Sequence, residues 1–270
     1  MVGVVQHHRV TLLIYCNVQI SDLSLLALVP VLLLVAAAAG CFWLTDRGFA
    51  RHVLNVVGMA VGQLALLGCC TWGLLLIDRL WAYALWLLLM VVACALLGLR
   101  AVRLPLLRLL PAVALAILAG VGLTGGCLML CLPKTAFVPV VGVLIGHLLM
   151  AVPRSLQTFI GCLRHTEAHR LFLLACGASE LESLMPSVRR TLRAAVLPLL
   201  GQVSSPVVVA MPLLFCGLLL SGSSAAVATL CTLLFWAAAF AASVLTTILM
   251  VWALWRGKKV LAEILHSDIL

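Results

Sequence analysis

The chain is 270 residues long, 65% hydrophobic and 9% charged, with a mean hydropathy of +1.28 and a formal net charge of +9. A soluble domain carries roughly 45–50% apolar and about 25% charged residues, so this composition excludes a water-soluble globular protein and implies an integral membrane protein. The basic residues are scattered and have no interleaved aromatic partners, so the positive charge reads as a topology signal and an attraction to anionic lipid; it is not a nucleic-acid footprint.

A helical span needs about 20 mostly apolar residues, because an unpaired backbone amide in lipid costs several kcal/mol and a helix pairs its own. The first 22 residues carry His7, His8, Arg9 and Asp22 and lack the ordered parts of a cleavable signal peptide, so the first span is expected to be retained. Spans are predicted over Leu23–Leu44, Val53–Ile77, Leu80–Leu99, Leu109–Leu132, Phe137–Val152, Ala195–Leu220 and Ala225–Trp255. The expected architecture is a single all-α domain over residues 1–270, a polytopic transmembrane helical bundle of about seven spans. Sorting the Lys and Arg residues into alternate connections puts only Arg9, Arg79 and Lys134 on one side and the remaining 14 of 17 on the other. By the positive-inside rule the N-terminus is then outside and the C-terminus cytosolic.

Several spans carry polar or helix-bending residues. In the second, Gln63 follows Gly58 and Gly62, a small-x-x-x-small pair that allows close backbone approach. Near the outer end of the fourth, Cys127 and Cys131 lie four apart, a spacing that suits a soft metal; with no third ligand in view, packing is the expected role. The fifth reads VPVVGVLIGHLLMAV and places Pro139, Gly142, Gly146 and His147 in lipid-embedded protein. An ionisable group there must face a bundle interior, a partner or water, so His147 either hydrogen-bonds a neighbouring helix or serves transport directly. The shared glycine pattern predicts that the second and fifth spans meet, with Gln63 and His147 near a common path. Pro139, Pro198, Pro206 and Pro212 each remove a backbone donor and are expected to bend helices where a path could form.

The connection at about residues 153–194 is the longest and is expected to be cytosolic. Leu156, Phe159, Ile160 and Leu163 repeat with helical period. Gly177 is predicted to break that helix, and Ser179 to cap a second whose first turn carries Glu180 and Glu182, with a kink before Pro186 near Leu184 or Met185. His165 and His169 are four apart but do not form a metalloprotease motif, and solvated surface is the expected role.

The chain resembles the permease subunits of ABC-type transporters described as iron exporters in bacteria, a group to which plant membrane proteins of aluminium tolerance are also similar. Four patches over roughly Leu25 to Lys259 carry the resemblance. Val57, Gly58 and Gln63-Leu64 match a Val-Gly…Gln-Leu pattern whose arginine is replaced here. Pro139, Gly142 and Gly146 match a Pro-x-x-Gly-Met-x-x-Gly-Asn pattern in which His147 stands for the asparagine. Gly177, Ala178 and Ser179 match a Leu-Gly-Ala-Thr turn, followed in register by Arg189, Arg193, Ala194, Ala195 and Pro198, while Phe172 replaces a glutamate. Of a last patch, Pro212 and Gly217 are kept.

That resemblance implies a homodimeric permease, driven by a separate ATP-binding cassette ATPase subunit and exporting a metal ion such as iron across an inner or plasma membrane. It implies a transport path at Gln63, Pro139, Gly142, Gly146, His147, Pro212 and Gly217, and ATPase coupling at Gly177, Ala178, Ser179, Arg189 and Arg193. The chain has no phosphate-binding Gly-x-x-x-x-Gly-Lys-Ser/Thr loop and no carboxylate within a span, so neither catalysis nor a bound cofactor is expected of it. An ATP-independent channel or carrier and a non-transporting scaffold are the alternatives.

Overall fold

A computed structural model describes residues 47–77, 79–102, 106–133, 136–204 and 212–257, with scattered positions from 30 to 43. Among these residues every regular element is a helix: α1 Arg47–Ile77, α2 Leu80–Val102, α3 Leu106–Cys131, α4 Phe137–His165, α5 Glu167–Ala175, α6 Glu180–Ser204, α7 Leu213–Leu220 and α8 Ala225–Arg256. Five of them, α1 to α4 and α8, are long and apolar enough to cross a bilayer. The chain is therefore an integral, multi-pass helical membrane protein. The expected first span lies outside the described residues except for scattered helical positions. Of the expected sixth, residues 195–204 lie in α6 and 213–220 in α7, and 205–211, with Pro206, lie outside the described residues.

The chain forms two compact units, Met1–Asp78 with Leu220–Ser223, and Arg79–Leu219 with Ser224–Leu270. The first contains α1, whose Thr71 hydroxyl donates to the Leu67 carbonyl at 2.7 Å, the usual way a hydroxyl is satisfied inside an apolar helix.

In the second unit α4 is the central helix and packs against α2, α3, α6 and α8. Leu144, Leu148, Leu156 and Phe159 of α4 are fully buried, together with Leu99 of α2, Ile117 of α3 and Met250 of α8. Helices in lipid gain little from hiding apolar surface, so this association depends on close van der Waals fit. α2 and α4 run parallel and in register. The Tyr83 and Phe137 rings meet edge-on at 5.4 Å near the helix starts, and a Cβ at Gly98 would lie 3.0 Å from Val152 Cγ1 near the other end. Arg100 of α2 and Arg154 and Arg164 of α4 consequently share one end of the unit, as the charge sorting of these connections requires.

α8 shows how polar residues enter such a core. Ala239, Ala242, Ser243, Thr246 and Thr247 are buried on one stripe. Thr232, Ser243 and Thr247 donate to carbonyls four residues back at 2.7–2.8 Å, so these hydroxyls need no partner on another helix. At its end Arg256 stacks over the Trp252 ring at 4.3 Å, a cation–π pair one turn apart.

One expectation requires correction. The fifth span does not stop at Val152: α4 continues through Pro153 as one helix to His165. Proline removes one rung of the ladder, but Leu156, Phe159, Ile160 and Leu163 carry the same buried face onward, and packing outweighs the lost bond. Pro186 lies inside α6, whose Ser183, Leu184, Ser187 and Thr191 are buried.

Candidate functional site

The segment from α4 to α6 forms a helical elbow whose turn chemistry is fully specified. At the end of α4 the Thr166 amide and hydroxyl both donate to the Cys162 carbonyl, and the Thr166 carbonyl accepts from Arg170 N as α5 begins. α5 closes in a Schellman motif. Gly177 N donates to Leu174 O at 3.1 Å and Ala178 N to Leu173 O at 3.0 Å, with Gly177 at φ +90°, a conformation that penalises any side chain.

One residue later α6 opens with a capping box. Glu182 N donates to Ser179 Oγ at 3.3 Å, and Ser179 donates to Glu182 Oε2 from both its amide and its hydroxyl at 2.8 Å. These two bonds hold the Glu182 carboxyl below its usual range, the Ser179 backbone contributing most. Gly177, Ala178 and Ser179 therefore form the turn, as expected. Arg189 and Arg193 lie one turn apart on the exposed face of α6, opposite its buried Ser183, Ser187 and Thr191.

Inside the elbow is a cavity of about 110 Å³ lined by Thr166, His169, Arg170, Ser183, Pro186, Ser187 and Arg190. Among the described residues no carboxylate lines it. Arg170 Nε is buried without a hydrogen-bond partner. The Ser183 hydroxyl donates to the Glu180 carbonyl at 2.7 Å.

The residues expected on a transport path fall into separate groups. Pro139, Gly142 and Gly146 are exposed along one side of α4, with His147 beside them at intermediate exposure. Within this unit nothing approaches a Cβ at Gly142 or Gly146 within 4 Å. Pro139 occupies the first turn of α4, where its missing N–H would have had no intrahelical partner. Pro212 is in the α7 N-cap, its carbonyl accepting from Cys216 N at 3.0 Å, and Gly217 is exposed on that helix. Gln63 is an exposed residue of α1, in the first unit.

Cys127 and Cys131 are exposed; the buried face of α3 there is Thr124, Gly125 and Leu128. His165 and His169 are exposed, as expected. Among the described residues no group of three His, Cys, Asp or Glu side chains could hold a metal ion.

A family description matches the chain over residues 25–257. The chain belongs to the uncharacterised protein family UPF0014. The match covers every described helix, including the elbow and the α4 face. No curated protein and no solved structure matches the chain.

The cavity was missed in the sequence. Its signal is that Ser183, Ser187 and Arg190 recur at helical spacing on the side of α6 that also carries buried Leu184 and Thr191, where a surface helix would be apolar. A second missed feature is the close approach of Gly120 to α8, signalled by the run of small residues from Ala239 to Thr247.

Proposed function

We propose that the chain is the membrane-spanning permease subunit of an ABC-type transporter, exporting a metal ion such as iron with energy supplied by a separate ATPase subunit. The observation that carries this reading is the elbow. A Schellman turn and a capping box fix its geometry, and it presents Arg189 and Arg193 together on an exposed face in the segment that the resemblance assigns to ATPase coupling. The family match over residues 25–257 supports the assignment of the whole chain. On this reading two further spans, over 23–44 and 195–220, complete seven, the N-terminus is outside, and the elbow is cytosolic. Two copies pair, and His147 and the open glycine face of α4 line the route of the ion. The chain binds no cofactor and performs no catalysis; its part is to open and close.

Co-expression with the candidate ATPase of the same host tests this. The full chain should retain the ATPase through purification, and a double variant Arg189→Glu, Arg193→Glu should lose it while still reaching the membrane. Equal retention by both proteins would overturn the coupling role.

A further inference from the structure

The elbow cavity gathers basic side chains in its lining. Arg170 comes from α5 and Arg190 from α6, with His169 at the same mouth, and no carboxylate lines the space among the described residues. The buried Nε of Arg170 has no hydrogen-bond partner, an arrangement proteins avoid unless something else supplies the acceptor. Thr166 and Ser183 already donate their hydroxyl protons to carbonyls of their own turns, so the donors left to a ligand are the two guanidinium groups, His169 and the hydroxyl of Ser187. Donors without carboxylates repel a metal cation and suit an oxyanion. Guanidinium forks match the oxygen spacing of phosphate. At about 110 Å³ the space is smaller than the ~150 Å³ that takes a benzene ring, which fits a tetrahedral phosphate and no bulkier group inside the cavity.

We propose that this cavity binds a phosphate group, held between Arg170 and Arg190 with His169 and Ser187 as further donors, and that the bound group ties α5 to α6. The phosphate comes from a lipid headgroup or from free phosphate, since the chemistry presented is the same. Neither the cargo nor the ATPase enters this inference.

The test uses the purified full chain, first in neutral detergent with inorganic phosphate against chloride at matched ionic strength, then in phosphatidylcholine nanodiscs with or without phosphatidic acid. The readouts are the thermal midpoint and amide exchange across residues 166–190. Inorganic phosphate raising the midpoint and slowing exchange identifies a free-phosphate site, and an effect confined to phosphatidic acid identifies a lipid site; either supports the proposal. Arg170→Gln and Arg190→Gln should each abolish the effect, and Arg100→Gln, at an exposed site that does not line the cavity, should preserve it. Because Arg190 is exposed, Arg190→Gln remains informative if Arg170→Gln does not fold. No effect from either probe, an effect that survives Arg190→Gln, or equal loss in Arg100→Gln overturns the proposal.

Discussion

At Gly120 and Thr246 the backbones of α3 and α8 come so close that a Cβ on the glycine would overlap the threonine hydroxyl and lie 3.2 Å from both Thr246 Cβ and the Ala242 carbonyl. Thr246 Oγ1 is buried there without a hydrogen-bond partner. Gly120→Ala should destabilise the protein by about 1–3 kcal/mol, the range for forcing a methyl into a packed site. Thr246→Ala in the same chain should recover part of that loss by removing the nearest atom. A double-mutant cycle on unfolding in detergent measures the coupling; strictly additive effects would contradict the contact.

Gly142 and Gly146 provide the opposite case. A Cβ at either meets nothing within 4 Å in its unit, so Gly142→Ala and Gly146→Ala should leave the unfolding midpoint of the purified subunit unchanged or slightly raised, Ala being the better helix former by about 1 kcal/mol. Any loss should appear in assembly or transport. A fall in subunit stability as large as that of Gly120→Ala would show that this face is packed within the subunit.

Gly177 is at φ +90°, where a Cβ is strained even though the space beside it is open. Gly177→Val should cost about 1–3 kcal/mol locally and loosen the turn between α5 and α6. Limited proteolysis should then cut near Cys176 to Glu180 in the variant and spare the parent chain; identical cleavage of the two would remove the turn from consideration.

Glu182 makes the elbow sensitive to acid. Its carboxyl is held below the ordinary range by the Ser179 amide and hydroxyl, so the charged form stabilises the cap. A group with a depressed folded pKa contributes fully above its unfolded value, about 4.3, and the contribution is lost as pH falls through the folded value. Amide protection at the start of α6 should therefore be constant from neutral pH to about that point and decline below it, whereas Glu182→Ala should be poorly protected throughout. Protection with no pH dependence in the parent chain would refute the cap's electrostatic part.

The sequence was most legible where a local rule has a single outcome. Gly177 and Ser179 punctuate the chain as glycine and cap chemistry dictate, and Leu156, Phe159, Ile160 and Leu163 face the core as their spacing requires. The effect of proline is less legible: Pro139, Pro153 and Pro186 all lie within helices, and what a missing donor does depends on position in the helix and on the packing of neighbouring turns, neither of which a residue type records. Hydropathy also placed the fifth boundary at Val152, where charge begins at Arg154, although one face of the helix stays apolar for three more turns. The cavity and the Gly120 contact arise between elements distant along the chain, so spacing within one helix hints at them without naming their partners.

Since α4 is uninterrupted from Phe137 to His165, the elbow and His147 are parts of one rod, about 27 Å apart at 1.5 Å per residue. Torque applied at the elbow would reach the imidazole as rotation of that shaft, with the missing rung at Pro153 as its softest point.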